Sequence, residues 1–136
     1  MDLDTLLNKN QKEAATYLDS HLRIIAGAGS GKTRVVTYRI AHLIQDVGID
    51  PRSILAITFT NKAANEMKER VNEGVGIHGS GTLICTIHSL CVRFLRQHIN
   101  VLNYPSNFTI MDEEDQKALI KKLYTQLEID AKVISI

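Results

Sequence analysis

Three short apolar runs alternate with three longer segments of helical periodicity along the first hundred residues of this chain. The apolar runs are LRIIA, ILAITF and TLICT, at 22–26, 54–59 and 82–86. Apolar residues at helical spacing follow each run, at 32–47, 61–72 and 88–99. This order predicts an α/β fold with a parallel sheet, because parallel strands need crossover connections that are usually helical. Runs that are apolar throughout agree, since both faces of such a sheet are normally covered.

Two further helices are predicted near the ends of the chain. Residues 9–19 read as a short helix with Asn8 as the N-cap and Gln11 three residues later, which is the spacing of a capping box. Asp112 caps a last helix that ends near Leu127. A glycine-rich loop at 74–81 lies between them.

The charges are unevenly distributed although the net charge is only +1. Residues 20–111 hold ten Lys and Arg against five acids, whereas the two flanking segments are each net negative. A local positive excess favours polyanions, but an unevenly charged surface explains it equally well. No run approaches the roughly 18 apolar residues of a membrane span, and two cysteines do not make a disulfide scaffold. We therefore expect a cytoplasmic location and no membrane partner.

The segment AGAGSGKT, residues 26–33, follows the first apolar run directly. It fits the phosphate-loop pattern G-x-x-x-x-G-K-S/T, with Ala26 in place of the first glycine. Glycines let backbone N–H groups converge on a phosphate, and the following helix points its positive end at the same anion. Lys32 would then reach the β- and γ-phosphates of a nucleotide, and the Thr33 hydroxyl would bind Mg²⁺. The loop by itself indicates a nucleotide and leaves the reaction open.

Three further segments carry a more specific resemblance. LNKNQKEAA (residues 7–15), ITFTNKAANEMKERV (57–71) and GTLICTIHSLCVRFLR (81–96) resemble the glutamine motif, motif Ia and motif Ib of superfamily 1 helicases. With the phosphate loop, in this order, they resemble the UvrD/Rep/PcrA group of DNA helicases over essentially the whole chain. Ile87 stands where motif Ib usually has phenylalanine, which puts base stacking at that position in doubt.

This resemblance implies a P-loop NTPase, RecA-like, three-layer fold with helices on both faces of the sheet, incomplete in a chain of this length. It also implies ATP and Mg²⁺ as cofactors. Gln11 corresponds to the glutamine that reads the adenine edge, for which an amide supplies a donor and an acceptor. Gln11 could instead serve only as a local helix cap. Arg34 falls where the family places an arginine near the nucleotide, but it could equally be a solvated charge on the helix. The predicted ATP-binding residues are Gln11, Ala26, Gly27, Ala28, Gly29, Ser30, Gly31, Lys32, Thr33 and Arg34, with Lys32 and Thr33 also the predicted catalytic residues.

Single-stranded DNA is the second ligand that the resemblance implies. The residues concerned follow the second and third apolar runs, where a parallel sheet presents its ligand sites. Phe59 could offer a stacking face there, although a buried strand-end aromatic is the competing interpretation. His88 could be read as a catalytic base, but no acid or nucleophile is fixed beside it, so a DNA or structural contact is preferred. The predicted DNA-binding residues are Thr60, Asn61, Lys62, Thr86, His88 and Ser89.

Two patterns suggest metal sites and are interpreted otherwise. Cys85 and Cys91 are too far apart for a typical zinc pair and are expected to be buried apolar residues. Asp112 and Glu113 follow an apolar run, as a Walker B motif would, but Thr109 interrupts that run. The helix-cap interpretation of Asp112 is therefore preferred.

The resemblance also implies how the chain is organised. Residues 1–110 would form the N-terminal, ATP-binding part of the first motor domain, and 111–136 would begin an inserted helical subdomain. The partners would be single-stranded DNA, duplex junctions and a second motor domain outside this sequence, so the fragment alone is expected to be inactive. The front end of a recombination helicase-nuclease subunit would look alike. A P-loop nucleotide phosphotransferase is the alternative from another class, but 113–136 offers neither an arginine-rich lid nor an acceptor pocket.

Overall fold

The computed structural model describes the backbone of residues 2–129 and their side chains except those of residues 77 and 78. Its helices are α1 (Leu3–Leu6), α2 (Lys9–Thr16), α3 (Lys32–Gln45), α4 (Asn61–Val75), α5 (Ile87–His98) and α6 (Glu113–Gln126). Its strands are β1 (Leu55–Thr58) and β2 (Leu83–Thr86), and short 3₁₀ turns cover Pro51–Ser53, Gly76–Gly79 and Ile99–Leu102. No helix within 2–129 is long and apolar enough to cross a membrane.

The sheet has two parallel strands, with α4 as the crossover between them. Ala56 pairs with Ile84, and the strands end together at the pair Thr58 and Thr86. This confirms an α/β fold with a parallel sheet. The paired ends bring the segments after β1 and β2 to the same edge of the sheet.

The predicted strand at 22–26 was wrong. These residues form no regular structure, and the Ile25 side chain is 87% exposed. A strand needs a neighbour for its backbone hydrogen bonds, and among the described residues β1 pairs with β2 alone. Apolar sequence supplies a strand's side chains but not its partner.

The three-layer arrangement is also incomplete. Ala56 and Ile84 point into a core with α4, which packs on this face of the sheet and is itself packed against α3. On the opposite face Leu55 and Ile57 are each about half exposed. Residues 2–129 therefore show two layers, compatible with part of a RecA-like fold.

Two apolar clusters stabilise the first of two compact units, which ends at Arg93. The larger joins α3, α4 and the sheet, and Val71 is its largest fully buried side chain. The smaller fixes α1 and α2 against α3, through Leu3, Leu7, Ala15 and Val35. The N-terminal helices are thereby held beside the helix that follows the phosphate loop.

The C-terminal end of α3 carries an acid, Asp46, where the helix dipole disfavours negative charge. His42 Nδ1 lies 2.8 Å from an Asp46 carboxylate oxygen, one turn away on the same helix. This hydrogen bond is the main cause that lowers the pKa of Asp46 below its ordinary value of 3.8. The local pair compensates for the unfavourable position.

The second unit begins at Phe94 and contains the end of α5 together with α6. Arg96 organises its connecting loop, because the guanidinium donates to the Ser106 carbonyl at 2.9 Å and lies 4.7 Å from the Phe108 ring centroid. Asp112 is the N-cap of α6 in a reciprocal capping box with Asp115, which confirms the cap interpretation. The predicted domain boundary at 110 remains a prediction, and residues 130–136 of its second part lie outside the described residues.

Candidate functional site

The phosphate-loop segment folds into a turn that only its glycines permit. Gly29 and Gly31 have φ values of +72° and +84°, in the left-handed region that disfavours other residues. The Ser30 hydroxyl donates to the Gly27 carbonyl at 2.8 Å and closes the turn. The sequence pattern and the backbone conformation therefore agree at these positions.

Helix α3 presents free donors to this turn. Gly31 is its N-cap and provides no side-chain cap, and the first intrahelical bond runs from Val35 N–H to the Gly31 carbonyl at 3.0 Å. The amides of Lys32, Thr33 and Arg34 precede that bond and so have no intrahelical acceptor. Together with the positive end of the helix dipole they suit an anion.

The Lys32 side chain folds back over the turn. Its ammonium donates to the Gly27 carbonyl at 2.7 Å and to the Ala26 carbonyl at 3.4 Å. The positive charge thus lies at the mouth of the turn, where an incoming phosphate would meet it. The predicted contact with β- and γ-phosphates requires the ammonium to exchange these carbonyls for phosphate oxygens.

Gln11 lies against the phosphate loop, nineteen positions away in sequence. Its Nε2 donates to the Ser30 carbonyl at 3.0 Å, and its Oε1 accepts from Asn8 N–H at 3.1 Å. The predicted capping box is confirmed, since Asn8 also accepts from Gln11 N–H at 2.9 Å. One side chain therefore joins the start of α2 to the phosphate loop.

A cleft of about 540 Å³ opens between α2 and the phosphate loop, a volume in the range of ligand pockets. Half of the predicted ATP set lines it, namely Gln11, Ala26, Gly27, Ser30 and Lys32. Sequence reasoning missed the remaining lining residues, which are Asn8, Asn10, Ala14, Ile24, Ile25, Val35 and Val36. Two of these, Asn8 and Asn10, could have been found from the sequence because they lie close to Gln11.

Arg34, another residue of the predicted ATP set, is engaged elsewhere. Its Nη2 donates to the Leu6 carbonyl at 2.7 Å, and its guanidinium carbon lies 5.6 Å from the Tyr38 ring centroid. It lines a separate cleft between α3 and α4. Of the others, Ala28, Gly29 and Thr33 are exposed on the loop or at the start of α3.

Arg39 is a further residue that sequence reasoning did not single out. Its Nη1 donates to three carbonyls at the end of α2, those of Ala14, Ala15 and Tyr17, at 3.2, 3.3 and 2.6 Å. It therefore holds the helix that carries Gln11 onto the helix that follows the phosphate loop. The acid-free stretch 20–45 was the only sequence signal, because it left this arginine without a local carboxylate.

The segment after β1 projects side chains into solvent. Thr60 is the N-cap of α4 and accepts from Ala63 N–H at 3.1 Å, while Asn61 and Lys62 are exposed. Phe59 is 100% exposed, so the interpretation as a buried strand-end aromatic was wrong. Its whole ring is available to a ligand.

The segment after β2 lies at the same edge of the sheet. Thr86 is buried, and its hydroxyl accepts from Ser89 N–H at 3.2 Å and lies 2.9 Å from the Ser89 hydroxyl. His88 is exposed and, within residues 2–129, has no hydrogen bond or ion pair. Thr86 thus fixes the turn into α5, and His88 and Ser89 remain open to solvent. The expectation that Cys91 is buried was wrong, since it is exposed.

Comparison with known proteins places this arrangement in a family. Residues 7–135 match the family described as the UvrD/REP helicase N-terminal domain, and the chain belongs to that family. It is 48% identical over 126 residues to the ATP-dependent DNA helicase PcrA of Staphylococcus aureus and, equally, to that of Staphylococcus epidermidis. Each alignment covers 93% of this chain and 17% of the relative, so the chain spans about a sixth of their length.

Proposed function

We propose that this chain is the N-terminal, ATP- and single-stranded-DNA-binding part of a DNA helicase. The helicase would couple ATP hydrolysis to 3′–5′ translocation and duplex unwinding, in cytoplasmic DNA repair or replication. The observation that carries the proposal is the hydrogen bond from Gln11 to the Ser30 carbonyl, because it joins the amide that would read adenine to the phosphate loop. The family and the PcrA relatives support it.

The ATP half of the proposal assigns a role to each part of the cleft. The turn around Gly29 and the first amides of α3 would hold the phosphates, with Lys32 neutralising their charge. The Thr33 hydroxyl is exposed and would bind Mg²⁺, which supplies Lewis-acid stabilisation to the phosphates when present. Within residues 2–129 no cluster of His, Cys, Asp or Glu could hold a metal, so the remaining ligands would come from ATP, water or outside this region.

The DNA half rests on the edge where β1 and β2 end together. Phe59 would stack on a base, while Thr60, Asn61, Lys62, Thr86, His88 and Ser89 would contact or support contacts with the sugar-phosphate backbone. These proposed contacts are with the sugar-phosphate backbone and with the face of a base, so they do not depend on base sequence. A motor that travels along any sequence needs contacts of this kind. Duplex junctions and a second motor domain would be the further partners.

Hydrolysis itself needs groups that these residues do not supply. A water-positioning carboxylate and arginines that stabilise the transferred phosphoryl group must act together with the phosphate loop. We propose that they belong to a part of the protein outside this sequence, since the chain covers only 17% of the PcrA relatives. The same geometry would serve a recombination helicase-nuclease subunit. An ATPase activity that depends on DNA would distinguish both of these motors from a nucleotide phosphotransferase.

The decisive experiment compares ATP binding by the wild type and Lys32→Ala, using a fluorescent ATP analogue with Mg²⁺. We expect wild-type binding and a loss of about 10–100-fold in the variant, because a hydrogen bond to a charged group contributes about 1.5–3 kcal/mol. Lys117→Ala, on exposed α6, is the matched control and should bind like the wild type. Equal affinity of wild type and Lys32→Ala would refute the nucleotide site.

A further inference from the structure

Helix α2, which carries Gln11, is too short to be stable by itself. It has eight residues, Lys9–Thr16, whereas isolated helices below about 12–15 residues are marginal in water. Its start is fixed by the capping box with Asn8 and by the hydrogen bond from Gln11 to the Ser30 carbonyl. The position of the Gln11 amide therefore also depends on what holds the other end of the helix.

The C-terminal end of α2 is capped by a side chain from another helix. Its C-cap residue, Tyr17, has an extended backbone conformation, and the Tyr17 N–H donates to the Glu13 carbonyl. The carbonyls that follow Glu13 have no intrahelical donor. Arg39 on α3 supplies the missing donor. Its Nη1 lies 3.2, 3.3 and 2.6 Å from the carbonyl oxygens of Ala14, Ala15 and Tyr17.

The Arg39 guanidinium is committed to these carbonyls. The residue is half-buried, and within residues 2–129 no carboxylate pairs with it. Its positive charge is compensated instead by the negative end of the α2 dipole. Arg39 is not among the residues that line the ATP cleft, so any influence on a nucleotide must pass through α2.

One helix, α3, carries both the phosphate-binding end of the cleft and the anchor of α2. Lys32 is the first residue of α3, and Arg39 lies seven residues further on, about 10 Å along the axis at about 1.5 Å per residue. Between these two points, Val35 belongs to the apolar cluster that includes Ala15 of α2. Helix α3 thereby fixes the separation between the Gln11 amide and the groups that would hold the phosphates.

We propose that Arg39 is a positioning residue of the nucleotide site, which strengthens recognition of the base by holding the Gln11 amide in place. The inference rests on the ATP-binding function proposed above and adds to it a residue that does not touch the nucleotide. Without the guanidinium, α2 keeps its N-terminal cap but its C-terminal end is released. The Gln11 amide must then be ordered when the base binds, which lowers affinity. The phosphates meet the turn around Gly29 and the Lys32 ammonium, which Arg39 does not contact.

The test compares binding of ATP with binding of inorganic triphosphate, each with Mg²⁺, by isothermal titration calorimetry. The ratio of the two affinities measures the contribution of the nucleoside, and in the wild type ATP should bind more tightly. Arg39→Met should lower this ratio by about 2–10-fold, the equivalent of one hydrogen bond, and leave the affinity for triphosphate unchanged. Arg39→Lys should give an intermediate ratio, because the ammonium can still donate to one carbonyl. Arg70→Met, on an exposed position of α4, is the control and should keep the wild-type ratio.

A double variant tests whether Arg39 acts through Gln11. Gln11→Ala removes the amide and should lower the ratio by itself. Adding Arg39→Met to Gln11→Ala should then change the ratio little, because no amide is left to position. Such non-additivity is expected of residues that act through one another.

The outcomes separate this inference from the proposed function. If the wild type binds ATP and Arg39→Met keeps its ratio, the inference is overturned and the ATP site stands. Equal losses of both affinities, additive losses in the double variant, or a wild type that binds ATP no more tightly than triphosphate also overturn it. A wild type that binds neither ligand overturns the proposed nucleotide site as well. If Arg39→Met fails to fold, Arg39→Lys decides, since a wild-type ratio in that variant contradicts the inference.

Discussion

At the scale of single residues, Gly31 is the most constrained position of the site. Its φ of +84° lies in the left-handed region, and a Cβ there would come within 2.8 Å of Gln11 Nε2. A side chain at this position would therefore meet two penalties. One is the backbone strain of a non-glycine residue, and the other is displacement of the amide that joins α2 to the phosphate loop.

We predict that Gly31→Ala lowers the free energy of unfolding by at least about 1–2 kcal/mol, the cost of left-handed backbone for an L-residue. Chemical denaturation of Gly31→Ala and Gly27→Ala, each compared with the wild type, measures this difference. Gly27→Ala is the control, because its Cβ would meet nothing within 4 Å and its φ is not positive. Similar losses in both variants would contradict the prediction.

Local residue chemistry was predictable where both partners lie close in sequence. The capping box at Asn8 was predicted from three-residue spacing and Asp112 was predicted as an N-cap, because such caps form within one helical turn. Exposure was less predictable. Phe59 and Cys91 are apolar enough to be buried, but burial requires a neighbour that covers them, and no local pattern encodes that neighbour.

At the scale of elements, the junction between α2 and α3 depends on Arg39. Its guanidinium meets the three carbonyls that end α2, where a cation also complements the helix dipole. Apolar contact through Ala15 and Val35 supports the same junction. The polar and apolar contacts together fix the helix that carries Gln11.

We predict that Arg39→Met destabilises the protein by about 1.5–3 kcal/mol, the range for hydrogen bonds to charged groups. Hydrogen exchange of residues 9–17 should accelerate more than that of α4. Arg39→Lys should recover part of the stability, because the ammonium can still donate to one of the three carbonyls. Arg70 is exposed, so Arg70→Met is the control and should have no effect. Unchanged exchange in α2 would show that the apolar cluster alone holds the junction.

Element order was predictable from periodicity, and five predicted helices begin within one residue of their observed starts. The two observed strands were predicted to within one residue at each end. The run at 22–26 failed because a helix satisfies its own backbone while a strand depends on another segment. Its side chains line the cleft instead, through Ile24 and Ile25.

At the scale of the whole molecule, exposed apolar surface is the dominant feature. On α6 and its C-cap it includes Leu119, Leu123 and Leu127, which are 45%, 42% and 66% exposed. Their spacing of four residues places them along one side of the helix. Contiguous exposed apolar surface of this kind promotes association.

We predict that the protein self-associates with increasing concentration, as measured by analytical ultracentrifugation. The double variant Leu119→Gln/Leu123→Gln should shift the equilibrium toward monomer. It removes exposed apolar surface, and neither leucine is buried, so the fold should be unaffected. Lys117→Gln with Lys121→Gln, on exposed positions of the same helix, is the matched control. Association that is unaffected by the leucine changes would place the contact elsewhere.

The two hydrogen bonds made by Gln11 have a consequence for base selection. Oε1 is fixed by Asn8 N–H and Nε2 by the Ser30 carbonyl, so rotating the amide by a half turn would set oxygen against carbonyl and N–H against N–H. The order of donor and acceptor along the cleft is therefore locked before any ligand arrives. One lone pair and one N–H remain for that ligand. If Gln11 reads a base, as we propose, a base whose edge presents the reverse order of donor and acceptor would meet repulsion from the fixed amide.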